Sequence, residues 1–116
     1  MSENLWEHRA ESGYVLGTDL VGYRVEAIDG HIGKVDKHTD EAQGAHIIVD
    51  TGVWIFGKEV LLPAGCISGV DHPNATVFLN RTKEDVKGAP EFHRQHHTED
   101  PTYRMTLGDY YGGRIL

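Results

Sequence analysis

The regular alternation of short apolar runs and turn-forming segments is the main feature of the sequence between residues 18 and 81. β-Branched and aliphatic residues are concentrated at 46–49, 60–62 and 76–79, and polar, glycine or proline residues lie between these runs. Runs of this length and composition are typical of β-strands. The pattern predicts a mainly β fold, in which residues 18–81 form a small, closed or nearly closed antiparallel barrel of about six strands.

A β-hairpin is predicted around Asp29-Gly30, because this dipeptide suits a two-residue type I′ turn. Both central residues of such a turn need a positive φ, which Asp and Gly adopt at low cost. Gly33 follows closely, and the alternation of apolar and polar residues shifts at Ala27. We therefore expect a bulge or bend there that curls the sheet. The hairpin side chains predicted to be buried are Val25, Ile28, Ile32 and Val35.

One short helix is predicted after the last strand. Thr82 can cap its first turn, and Asp85 stands three residues later, where its carboxylate suits the positive end of a helix. Gly88 and Pro90 end the helix within about two turns. The polar segment 36–44 predicts a solvent loop. The chain thus divides into an N-terminal flank (1–17), a β domain (18–90) and a His-rich, aromatic C-terminal tail (91–116), and both flanks are predicted to be irregular.

Several of these segments together resemble a PRC-barrel domain. They are Leu20-Val21-Gly22, Asp29-Gly30-x-x-Gly33-x-Val35, His46-Ile47-Ile48-Val49-Asp50, Val60-Leu61-Leu62-Pro63 and Asn80-Arg81-Thr82-Lys83. The resemblance implies a six-stranded β-barrel like those of the photosynthetic reaction-centre H subunit and the C-terminal part of the ribosome maturation factor RimM. Members of the family mostly act as assembly and interaction modules. No catalytic motif comes with the family, so the resemblance implies a non-enzymatic protein without catalytic residues.

Composition narrows the class of partner. The chain carries 18 acidic and 11 basic residues, and its formal net charge is −7. Nucleic-acid binding depends on clustered Lys and Arg, so this excess of acidic residues disfavours a role as an RNA-binding or ribosome-assembly module. Such a module remains an alternative only because of the resemblance to RimM. The single Cys66 is interpreted as a small core residue. The sequence shows no secretory signal, and no apolar run reaches the ~20 residues of a membrane span. We expect a cytoplasmic protein that contacts neither membrane nor nucleic acid.

The C-terminal tail contains the most concentrated candidate metal ligands. Imidazole and carboxylate groups bind transition metals, but their spacing here matches no named zinc pattern, and a solvated linker has the same composition. A small-ligand or metal-binding protein that uses this tail is therefore an alternative, and no metal or cofactor is assigned. Other histidines, including His31, His38 and His46, are interpreted as ordinary surface or strand residues. The tail ligands are His93, His96, His97, Glu99 and Asp100.

The most apolar connection in the sequence is the run that contains Trp54, Ile55 and Phe56 between two glycines. Connections between strands are normally polar, so this run belongs either to the core or to an exposed partner surface. Contiguous aromatic and aliphatic side chains at a hairpin tip are typical of an interface. We therefore predict that these three residues contact a protein partner, a second copy of the chain, most simply as a homodimer, or the aromatic tail around Tyr103 to Tyr111 of the same chain.

Overall fold

Six strands form one sheet in the part of the chain that the structure describes. The computed structural model describes residues 5–41, 44–52 and 58–112. The strands are β1 (Arg24–Ala27), β2 (Gly30–Thr39), β3 (His46–Asp50), β4 (Glu59–Pro63), β5 (Ile67–Asp71) and β6 (Thr76–Leu79). The helices are α1 (Lys83–Lys87), α2 (Arg94–His97) and α3 (Pro101–Gly112), and 3-10 turns span Ala10–Ser12 and Ala64–Cys66.

The sheet is mixed and curled but not closed. Its strand order is β4-β3-β2-β1-β6-β5; β1 and β6 are parallel, and the other neighbours are antiparallel. The edge strands β4 and β5 are joined only by the 3-10 turn Ala64–Cys66, so the two edges approach each other at that end. Strands β4 and β5 run in the same direction on either side of this turn. Because β6 is antiparallel to β5, it runs parallel to β1. The mainly β fold with six strands is confirmed, whereas a wholly antiparallel barrel is wrong at the β1–β6 pair.

The turn between β1 and β2 differs from the predicted type I′ geometry. The strand pairing places Ile28 and Asp29 in the turn, and Gly30 begins β2. Among the described residues, Ala75 is the only non-glycine residue with a positive φ, so Asp29 lacks the conformation that a type I′ turn at Asp29-Gly30 requires. Its carboxylate instead accepts a hydrogen bond from the Lys83 backbone N–H at 2.8 Å. Ile28, predicted to be buried, is 67% exposed because it lies at the turn.

The bend predicted near Gly33 is present. The register of β1 and β2 shifts between Val25 and Glu26, so that Ile32 is an extra residue in β2. Gly33 also lies against β3, where a Cβ atom on Gly33 would stand 2.0 Å from the Asp50 carbonyl oxygen. Because no side chain fits in that space, glycine lets the two backbones approach, and the bulge adds to the bend of the sheet.

Strand β2 extends further than the sequence pattern predicts. The predicted solvent loop covers 36–44, but the backbone pairs with β3 as far as Thr39. The reason is that β3 offers backbone donors and acceptors along its whole length, and these pair with polar residues as readily as with apolar ones. The extension places His38 in the sheet and Asp40 directly after its end.

The C-terminal tail is largely helical, although the sequence predicts an irregular flank. Helix α3 buries Tyr103, Leu107 and Tyr111, which stand four residues apart and therefore share one helix face. These side chains belong to the same hydrophobic core as the strands. The buried Arg81 guanidinium donates a hydrogen bond to the Tyr111 carbonyl oxygen at 2.9 Å. Cys66 is buried as predicted, and burial raises the pKa of its thiol to about 12.

The predicted short helix is confirmed as α1. The Thr82 hydroxyl accepts a hydrogen bond from the Asp85 N–H at 3.1 Å, and the Asp85 carboxylate accepts one from the Thr82 N–H at 3.3 Å. Together they form a capping box. The Tyr110 hydroxyl donates to the Asp85 carbonyl oxygen at 2.7 Å, which connects α1 to α3.

Candidate functional site

The N-terminal segment, residues 5–14, crosses one end of the sheet and builds the candidate site. The Gly65 N–H donates to the Leu5 carbonyl oxygen at 2.7 Å, and the Ala45 N–H donates to the Trp6 carbonyl oxygen at 2.9 Å. A Cβ atom on Gly65 would stand 2.6 Å from the Leu5 oxygen. Glycine at this position therefore allows the segment to run close to the turn between β4 and β5.

Trp6 fixes the segment between the sheet and α3. Its ring meets the His46 ring edge-on, with 6.3 Å between ring centroids, and the Arg104 guanidinium lies 5.8 Å from the Trp6 ring centroid. An arginine at this distance from an indole face makes a cation–π contact. Two of the elements around the site, β3 and α3, thus position the chain just before His8.

The centre of the site, called here the His8 cluster, consists of His8, Tyr14, His38 and Asp40. The two histidine Nε2 atoms are 3.3 Å apart, and the Asp40 Oδ1 atom lies 2.8 Å from the His38 Nε2 and 3.4 Å from the His8 Nε2. The Tyr14 hydroxyl donates a hydrogen bond to the second Asp40 oxygen, Oδ2. The Tyr14 ring stacks on the His8 ring at a centroid distance of 3.9 Å. Two chain segments thirty residues apart therefore meet at one point.

Burial shifts the pKa of two members of the His8 cluster, His8 and Tyr14. The His8 side chain is 11% exposed and the His38 side chain 5% exposed, whereas Asp40 reaches solvent. Burial, followed by the neighbouring His38, lowers the pKa of the His8 imidazole, so His8 is neutral at neutral pH and keeps a lone pair on one ring nitrogen. Burial and the bond to Asp40 raise the pKa of the Tyr14 phenol, which stays a donor.

An open depression of about 460 Å³ adjoins the His8 cluster, and His38 and Asp40 form part of its wall. Carboxylates of Asp19 and Asp36 also line it, together with a single basic residue, Lys37. The loop before β1 closes one side. The depression is therefore acidic and open to solvent, in contrast to the buried imidazoles beside it.

The same loop carries three exposed aliphatic side chains, Val15, Leu16 and Val21. Leu16 is 83% exposed, and Val21 lines the depression directly. The Asp19 carboxylate accepts a hydrogen bond from the Val21 N–H at 3.0 Å, which fixes the loop locally. Apolar and acidic groups thus share one surface at the end of β2.

Two of the tail histidines, His93 and His97, have structural contacts, and His96 is exposed on α2. The His97 ring stacks on the Tyr103 ring at a centroid distance of 4.2 Å, and its Nδ1 accepts a hydrogen bond from the His93 N–H at 2.9 Å. Within residues 5–41, 44–52 and 58–112, His8, His38 and Asp40 form the one group of three side chains whose ligand atoms converge. The structure therefore does not support the tail as the place of a metal site.

The predicted partner interface, Trp54, Ile55 and Phe56, lies outside the described residues, so its contacts stay a prediction. The His8 cluster was missed by sequence reasoning, which interpreted His38 as an ordinary loop residue. One local signal was present: His38 and Asp40 are two residues apart at a strand end, and this spacing directs both side chains to the same face. No local signal connects His8 to them.

Comparison with known proteins adds no family assignment. No protein-family model matches the sequence, and no curated protein matches it. Within the part of the chain that is described, no helix combines the length and the apolar character needed to cross a lipid bilayer. The functional proposal therefore depends on the geometry of the chain itself.

Proposed function

We propose that the chain is a non-enzymatic assembly module that binds a protein partner at the depression beside β2. The observation that carries this proposal is the exposed aliphatic loop, Val15, Leu16 and Val21, at an acidic depression. An aliphatic side chain left in water forgoes about 1.5–3 kcal/mol of burial free energy. Several such side chains on one loop are characteristic of a surface that a partner covers.

The charges around the loop define the kind of partner. Carboxylates of Asp19, Asp36 and Asp40 outnumber the one lysine in the depression, and the whole chain has a formal net charge of −7. Asp36 is already paired with Arg94, so Asp19 and Asp40 contribute most of the negative potential. A partner with an apolar anchor between basic residues complements this surface, whereas nucleic-acid phosphates are repelled by it.

The resemblance to the PRC-barrel family belongs to the same proposal. A curled sheet of six strands, followed by a capped helix at Lys83–Lys87, supports it. Family members mostly act as assembly and interaction modules, which agrees with a partner-binding role. Self-association through Trp54, Ile55 and Phe56 would use a second surface and has its own test below.

Affinity capture with matched variants tests the proposal. The chain, immobilised through a C-terminal tag, is exposed to a lysate of the source cells, and retained proteins are quantified by mass spectrometry. Leu16→Asp should abolish retention of the specific partner, because a charge replaces the apolar anchor. Met105→Asp is the control, since Met105 is also a largely exposed apolar residue but lies on α3.

A second variant tests whether the negative charge of the depression contributes to partner binding. Asp19→Asn removes the charge but keeps a side-chain oxygen for the Val21 N–H, so the loop should stay folded. We expect weaker retention and a reduced dependence on salt concentration. If the wild type, Leu16→Asp and Met105→Asp retain the same proteins in the same amounts, the loop is not a partner surface and the proposal is wrong.

A further inference from the structure

We propose that His8, His38 and Asp40 bind a divalent transition-metal ion, with Zn²⁺ as the ion that the ligand set suits best. The three ligand atoms come from the N-terminal segment and from the end of β2, and they lie 2.8–3.4 Å from one another. This site is distinct from the tail histidines, and two of its ligands, His38 and Asp40, also line the depression beside the aliphatic loop.

The distances between the ligand atoms agree with tetrahedral coordination. With metal–nitrogen and metal–oxygen bonds of about 2.0–2.1 Å, the edge of a tetrahedron around zinc is about 3.3 Å long. The edge between the two Nε2 atoms is 3.3 Å, and that between the His8 Nε2 and the Asp40 Oδ1 is 3.4 Å. The third edge, 2.8 Å, needs a shift of only about half an ångström.

Hydrogen bonds alone leave His8 weakly paired. If each imidazole donates an Nε2–H to Asp40, His38 does so at 2.8 Å, but the His8 Nε2 lies 3.4 Å away, which is longer than an ordinary N–H···O bond. One positive ion at the centre of the three atoms interacts favourably with all of them at once.

The surrounding residues hold the ligands in place. Tyr14 stacks on the His8 ring and donates to the Asp40 oxygen that points away from the histidines. A carboxylate ligand that is hydrogen-bonded on its other oxygen keeps a fixed orientation, which is the usual arrangement around protein metal sites. Tyr14 is therefore a positioning residue of the proposed site and not a ligand.

The ligand types indicate which ion binds. Two imidazole nitrogens and one carboxylate oxygen suit zinc, copper, nickel or ferrous iron, whereas calcium and magnesium prefer all-oxygen sites. Three protein ligands leave the fourth tetrahedral position for water, which can enter through the depression that His38 and Asp40 line. The bound ion would join His8 to β2 across thirty residues of chain.

Titration of the metal-free, untagged full chain with ZnCl₂ in an isothermal calorimeter tests the proposal. We expect one saturable site per chain. His8→Ala and His38→Ala should each abolish that site, and Tyr14→Phe should weaken it by about 10- to 100-fold, as the loss of an orienting hydrogen bond does in other metal sites. His31→Ala is the matched control, because His31 also pairs with a carboxylate, that of Glu26, but is exposed.

Cobalt substitution gives a readout that surface binding does not produce. Co²⁺ in a tetrahedral site absorbs strongly in the visible range, and His8→Ala should remove this absorption while the circular dichroism of the metal-free chain stays unchanged. Asp40→Asn serves as the second ligand variant if His38→Ala fails to fold.

Three outcomes would overturn the proposal: no saturable zinc binding, binding that His8→Ala leaves unchanged, or binding that is lost only when His93 and His97 are both replaced. Failure of zinc binding would leave the partner proposal standing, because capture is tested with Leu16→Asp, which changes no ligand of this site, and is measured without added metal.

Discussion

Replacement of Leu107 by Ala tests whether α3 is part of the core. Leu107 is 1% exposed and belongs to the same buried cluster as the strands. Loss of a buried leucine side chain, with the cavity it leaves, costs about 2–5 kcal/mol of the free energy of unfolding. Leu107 also lines a cleft of about 290 Å³ beside β4, and side chains at the wall of a cleft can move into the space that a shortened neighbour leaves. We therefore expect the lower half of that range, about 2–3 kcal/mol.

Urea unfolding followed by circular dichroism measures this cost. The midpoint should fall with an unchanged slope, and the melting temperature should decrease by about 10 °C for a chain of this length. Met105→Ala is the control, because Met105 lies on the same helix but is exposed, and its change should stay within about 0.5 kcal/mol. If Leu107→Ala is no more destabilising than Met105→Ala, α3 does not stabilise the core and the reasoning fails.

Three further predictions concern other parts of the chain. Gly65→Ala should displace the N-terminal segment, because its Cβ atom would stand 2.6 Å from the Leu5 carbonyl oxygen. Hydrogen exchange of the backbone amides at residues 5–9 should therefore accelerate. Gly112→Ala is the control, because a Cβ atom at Gly112 has open space around it and should leave this exchange unchanged. Burial lowers the pKa of His46 below its ordinary 6.5, so His46 adds stability above pH 6.5 that is lost as pH falls through its folded pKa. His46→Leu should flatten the decline of melting temperature below pH 6.5, and an unchanged slope would contradict this assignment. Trp54→Asp should convert a dimer to a monomer in light scattering, or loosen the C-terminal tail, without unfolding the β domain; a monomeric wild type that Trp54→Asp simply unfolds would contradict this prediction.

Features fixed by neighbouring residues could be predicted from the sequence. The β-branched runs in β3, β4 and β6 and the capping box of α1 depend on side chains within a few positions of each other. The bend near Gly33 belongs to the same class, because a glycine close to a turn is itself a local signal. These elements were placed correctly for physical reasons that act over a short stretch of chain.

Features set by tertiary partners could not be predicted in the same way. The extension of β2 to Thr39 depends on pairing with β3, which its own polar composition does not reveal. The sequence predicts a type I′ turn at Asp29, but the Asp29 carboxylate accepts a hydrogen bond at the start of α1, 54 residues later in the chain. The spacing of Tyr103, Leu107 and Tyr111 did contain a helical signal, which the polar and glycine residues around it obscured.

The His8 cluster shows why the site was harder to predict than the fold. His38 and Asp40 share a face because they alternate on one strand, but the third ligand atom depends on the path of the N-terminal segment past Gly65. That path is set by backbone hydrogen bonds and by Trp6, so the residues that dock the segment also position His8. Docking of the segment and metal affinity should therefore change together. Gly65→Ala, which removes no ligand, should weaken zinc binding, whereas a site formed by flexible surface histidines would be insensitive to it.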